Sequence, residues 1–112
     1  KTNEISYVFI EINPKIVIEF KGNKAVNYAC LNEDCMTVFD NMELVDKELE
    51  QVVDTLYQKA KDKGIDVTKG VNVSSINEKI KEKVKNIEYV TYIKIEREEE
   101  QKLINEVIMK NY

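Results

Sequence analysis

Ile5-Ser6-Tyr7-Val8-Phe9-Ile10-Glu11-Ile12-Asn13-Pro14-Lys15-Ile16-Val17-Ile18-Glu19-Phe20 decides how the rest of this 112-residue chain is read. Tyr7, Phe9 and Glu11 alternate with Val8, Ile10 and Ile12, and beyond the proline Ile16 and Ile18 alternate with Val17 and Glu19. Both halves therefore carry the two-residue period of a strand. They meet at Asn13-Pro14, and Pro14 is the only proline in the sequence. Proline has no N–H to give to a ladder and drives the preceding residue into extended backbone, which places Asn13 at a bend, a bulge or a strand edge. Two readings stay open at this point: a simple Asn-Pro turn, or two strands with a scissile joint between them.

Working outward, Lys21-Gly22-Asn23-Lys24 is a polar turn and Ala25 to Leu31 a third strand. Asn32-Glu33-Asp34 reads as a hairpin turn, with Met36 to Phe39 as a short fourth strand or the return leg of that hairpin. The period then changes. Val45, Leu49, Val52, Val53, Leu56, Tyr57 and Ala60 recur every three or four residues, an amphipathic helix that ends at Gly64 after a Lys-rich turn. A strand is expected in the second half of Ile65 to Val73. Ser75 with Glu78 matches a capping box ahead of the stripe Ile76, Ile80, Val84 and Ile87, so a second, shorter helix is expected there. Glu88 to Glu96 returns to β-branched and aromatic residues, and Glu98, Glu99 and Glu100 open a last helix carrying Leu103, Ile104, Val107 and Ile108. This order predicts one α+β domain over residues 1–112. Its single mixed or antiparallel sheet is built around the two strands flanking Asn13-Pro14, with helices packed on one face.

Composition narrows the chemistry. With no histidine, His-based triads and imidazole acid–base catalysis are unavailable, and a turnover enzyme is not expected. A net charge of −4 without a basic cluster gives no electrostatic footing for nucleic acid. Only three glycines occur, none clustered, so no phosphate loop is present, and no cofactor is expected. A zinc site lacks the ligands it needs, because the two cysteines, Cys30 and Cys35, have no histidine or second pair to complete them. Those thiols either close a short disulfide across the turn or pack separately as small hydrophobes, and the spacing admits both. Paired carboxylates such as Glu33 and Asp34 fit a turn, and nothing sets two across a sugar bond. No apolar run reaches the roughly 20 residues that span a bilayer, and the Lys1-Thr2-Asn3-Glu4 start is unlike a secretory signal. This stretch of chain thus reads as soluble, with any membrane segment upstream.

The run Tyr7 to Phe20, followed by Val26, by Leu31-Asn32-Glu33-Asp34 and by the helix from Glu48 to Gly64, resembles the extracytoplasmic domain of the RsgI-type anti-sigma factors. In that family a membrane-proximal strand ends in a D-I-N-P-S-type motif, an aliphatic strand and an N-x-D-G turn follow, and the Asn-Pro bond is the site of self-cleavage. Here Glu11 stands where the family favours Asp, Lys15 where it favours Ser, and Cys35 where the turn usually has Gly.

The resemblance implies autoproteolysis at Asn13-Pro14. The Asn13 amide would close a succinimide on its own main-chain carbonyl, with Ser6, Glu11 or Thr91 as candidates to move the proton. It implies that strand 1–13 stays bound after cleavage. The intact protein would be single-pass, with this domain on the extracytoplasmic face of the membrane. Its further partners would be a cytoplasmic sigma factor, a site-2-type intramembrane protease and, through another domain, polysaccharide. The rival is a passive spacer or ligand-binding α+β module of a cell-surface protein, uncleaved, with Asn13-Pro14 as a bulge.

Overall fold

Residues 4–108 are described by a computed structural model, and at their centre lies β1 (Ile5–Glu11). It runs antiparallel to β2 (Lys15–Lys21) from Ile5↔Lys21 to Glu11↔Lys15. On its other side Phe9, Ile10 and Glu11 pair antiparallel with Ser74, Val73 and Asn72 of β4 (Val71–Ser75). Outside these lie β3 (Lys24–Cys30), antiparallel to β2, and β5 (Val90–Lys94), parallel to β4, giving the order β3-β2-β1-β4-β5. The fold is α+β, one mixed sheet with four helices, and the strand that leads into Asn13-Pro14 is its middle strand.

The period-2 pattern does in space what it promised in sequence. Val8 and Ile10 of β1 and Ile16, Ile18 and Phe20 of β2 are buried on one face, against Leu49, Val52, Val53, Leu56 and Ala60 of α2 (Leu49–Asp62). Ile80 and Val84 of α3 (Lys79–Val84), the crossover between β4 and β5, extend the same core. On the reverse face Phe9 pairs with Val17, both buried. The amphipathic helix α4 (Arg97–Asn105) has no buried residue, but Ile104 and the following Val107 line a shallow cavity with Tyr7, Val17 and Ala29 of that face.

Three local expectations give way. The segment read as a fourth strand is helix α1 (Glu33–Val38), which with Phe39 presents Cys35, Val38 and Phe39 to the core at helical spacing. Burial of that stripe outweighs the β-propensity of Val and Phe. The Asn32-Glu33-Asp34 turn is accordingly a helix start, with the Asn32 side chain accepting the Cys35 N–H as N-cap. The long helix begins at Leu49, not near Val45, because the backbone just ahead is engaged elsewhere: Asp46 N–H donates to the Ala25 carbonyl and the Lys47 carbonyl accepts from Ala25 N–H. Val45 is left 59% exposed. Ser75 forms no capping box with Glu78; it ends β4, buried, with its hydroxyl held by Asn77 and Tyr92.

Candidate functional site

The β1–β2 ladder closes at Glu11↔Lys15, leaving Ile12, Asn13 and Pro14 as the hairpin loop. Ile12 N–H donates to the Pro14 carbonyl at 3.0 Å. Burial sorts the three residues: Ile12 is half-buried against the core, Asn13 is exposed, and Pro14 is almost wholly buried. The proline ring is therefore anchored in the core. The Asn13 side chain makes no hydrogen bond among the described residues, so its amide is free to turn on its own backbone.

Asn32, which the sequence suggested was only part of a turn, reaches this loop. Its Nδ2 donates to the main-chain carbonyl of Asn13 at 3.1 Å. Its Oδ1 accepts from the N–H of Lys15 and the N–H of Cys35, each at 3.1 Å. Two main-chain donors at one end of the amide fix that end as oxygen, so the end facing Asn13 is the NH₂. The register explains the reach. Leu31 N–H still donates to the Lys15 carbonyl, one step beyond the Ile16↔Cys30 pair, but the Lys15 N–H goes to the Asn32 side chain where a continuing ladder would offer the Leu31 carbonyl. Asn32 thus spans Pro14, holding the carbonyl before it and the N–H after it.

Cys30 and Cys35 form a disulfide with Cα atoms 5.5 Å apart. It joins the end of β3 to α1, bracketing Leu31 and Asn32, and both cysteines are buried. Of the residues considered for proton transfer, Ser6 pairs with Phe20 at the far end of β1, roughly 20 Å of strand from Asn13. Glu11 is the nearest, exposed and in one cross-strand row with Asn72 and Thr91. Thr91 is two strands away from Glu11, roughly 10 Å. Among the described residues none of the three hydrogen-bonds to Asn13 or Pro14, and no group of three or more Asp, Glu or Cys converges as a metal site.

Fold and site together define an α+β sheet whose middle strand ends in an Asn-Pro hairpin clamped by a side-chain amide. The family described as the anti-sigma factor RsgI-like central domain matches residues 5–111, and the chain belongs to it. No curated protein matches the chain. Among the described residues no helix is long and apolar enough to cross a membrane.

Proposed function

We propose that this chain is the extracytoplasmic, membrane-proximal domain of a transmembrane anti-sigma factor that cleaves itself once, between Asn13 and Pro14, and keeps the two pieces together until a signal separates them. The observation that carries the reading is the position of the bond in a chain of this family: immediately after the middle strand, with the nucleophile-bearing residue exposed and the leaving residue buried. Asn13 Nδ2 attacks the Asn13 carbonyl carbon and loses a proton. The bond from that carbon to the Pro14 nitrogen breaks, and the nitrogen takes up a proton. The products are a chain ending in a C-terminal succinimide and a chain beginning with the secondary amine of Pro14; water later opens the imide. The nucleophile and carbonyl belong to one residue, so the proximity that an enzyme gains by binding is supplied by covalent structure.

The upstream piece stays in place because β1 is paired on both sides and Val8 and Ile10 are buried in the core. Burial of such side chains is worth on the order of 1.5–3 kcal/mol each and needs no covalent link. Residues 1–3 of the 1–13 segment lie outside the described residues. Removal of the downstream piece would leave a membrane stub open to intramembrane proteolysis and release the sigma factor that an anti-sigma factor holds, while polysaccharide acts through a further domain. The test is denaturing mass spectrometry of purified protein. It is expected to show fragments 1–13 and 14–112, the former at first lighter by one water than the free acid. Only intact chain after long incubation across a range of pH leaves the passive-spacer reading.

A further inference from the structure

We propose that Asn32 is a catalytic residue of this cleavage, donating the hydrogen bond that stabilises the oxyanion formed at the Asn13 carbonyl; the proposal rests on the self-cleavage reading above. Ring closure turns the Asn13 carbonyl oxygen from a neutral acceptor into an alkoxide, and a donor already aimed at that atom gains strength as the charge develops. Asn32 Nδ2 stands 3.1 Å from it, within the range of such donors. It is the one side chain that hydrogen-bonds to Asn13 among the described residues. Its orientation is set before the reaction, because Oδ1 is held by the N–H groups of Lys15 and Cys35. The disulfide fixes the short segment that carries it, tying Cys30 to Cys35 on either side. Asn32 is not itself the nucleophile. Its amide points hydrogen at the carbonyl oxygen. Attack on the carbon by Asn32, although it too would expel the Pro14 nitrogen, would leave residue 13 bonded to the Asn32 amide and the two pieces covalently joined, whereas ring closure by Asn13 leaves a succinimide and separate chains.

The clamp has a second consequence for the same step. Asn32 Nδ2 holds the Asn13 carbonyl before Pro14, while Asn32 Oδ1 and Ile12 N–H hold the N–H and carbonyl of the Pro14–Lys15 peptide group after it, so the leaving residue is fixed on both sides and no hydrogen bond among the described residues holds the Asn13 side chain. The mobile partner is the nucleophile and the immobile one the bond to be broken.

The experiment is a time course of cleavage during cell-free synthesis of the chain under disulfide-forming conditions, read by denaturing electrophoresis and mass. Wild type, Asn32→Ala, Asn32→Asp and Asn13→Ala are compared, and thermal melting reports folding. Asn32→Ala is expected to slow cleavage by roughly 10²–10³-fold, as for loss of a single oxyanion donor. Asn32→Asp keeps an oxygen for the Lys15 and Cys35 N–H groups but offers a carboxylate to the Asn13 carbonyl, so it is expected to be at least as slow at neutral pH. As the pH falls through the carboxyl range, about 3.9, the introduced acid is protonated and regains a donor, and the rate of the Asn32→Asp chain relative to wild type should climb. A residue serving only as helix cap would show no such recovery. A folded Asn32→Asp chain cleaving within about twofold of wild type at neutral pH overturns the proposal while leaving self-cleavage intact, since loss of an oxyanion donor costs far more than that. A wild-type chain that never cleaves overturns both.

Discussion

Asn13 and Asn32 are the same amino acid asked to do opposite things, and their surroundings decide which. Asn13 is exposed and its side chain makes no hydrogen bond among the described residues, whereas both ends of the Asn32 amide are spoken for. Asn13→Ala is therefore expected to abolish fragments 1–13 and 14–112 and, because the cut parent is held together without a covalent link, to unfold at a urea concentration no lower than the parent's, the exposed side chain itself being worth no more than about 0.5 kcal/mol. Denaturing mass spectrometry and a urea melt check the two halves of that statement. The sequence disclosed Asn13 because the signal is local, an Asn-Pro bond between two period-2 runs. It did not disclose Asn32, because contact between residues 13 and 32 exists only once the β2–β3 register is known, and that register carries a shift at Glu19/Phe20. A signal was present nonetheless. Asn32 precedes Cys35, Val38 and Phe39, a helical spacing that makes it an N-cap.

At the scale of elements, the sheet strands and the long helix were legible and the joints between elements were not. Period 2 and period 3.6 survive in the fold, but α1 was mistaken for a strand because a six-residue helix offers too few repeats to tell the two apart. The Ser75–Glu78 pattern failed because Ser75 is needed at the buried end of β4. The disulfide closes a loop of only five residues of separation, so reducing it is expected to cost about 2 kcal/mol on the chain-entropy account. Denaturant titration with and without reductant measures this, and alkylation must be done in denaturant, since burial alone shields both sulfurs in the native state. Gly70 ends the loop into β4 at φ +82, where a Cβ would stand 2.6 Å from the Tyr89 carbonyl that receives the Val71 N–H. Gly70→Ala should destabilise by more than about 1 kcal/mol. Tyr89 itself stacks on Tyr57 with centroids 3.8 Å apart, and burial, then Asp54 and Tyr57, push its hydroxyl above the ordinary tyrosine value. A raised folded pKa keeps its contribution intact below about pH 10 and loses it as pH rises through the folded value. Thermal melts from about pH 9 to 11, spanning the ordinary tyrosine value, should accordingly fall more steeply for wild type than for Tyr89→Phe.

For the whole molecule, the direction of the strands determines how a nicked chain responds to load. Glu4 accepts from Gly22 N–H at one end of β1, and Ile108 N–H donates to Cys30 at the other, beside the hairpin. Tension between these two points runs along β1 and loads both of its ladders together, so the strand must slide past its neighbours instead of peeling bond by bond. Ile10, buried and paired on both sides, resists that sliding most directly. Truncation to Ala at such a site costs about 2–5 kcal/mol, and in a cleaved chain that loss appears as weaker retention of the upstream piece. Size-exclusion chromatography of cleaved Ile10→Ala should show free 14–112 at concentrations where the parent remains whole. The most direct measurement of the central claim is a mass spectrum of one wild-type preparation recorded first under native and then under denaturing conditions. A single non-covalent complex is expected in the first and fragments 1–13 and 14–112 in the second. An intact covalent chain in both, or 14–112 alone in the native spectrum, would contradict self-cleavage with retention of the upstream strand.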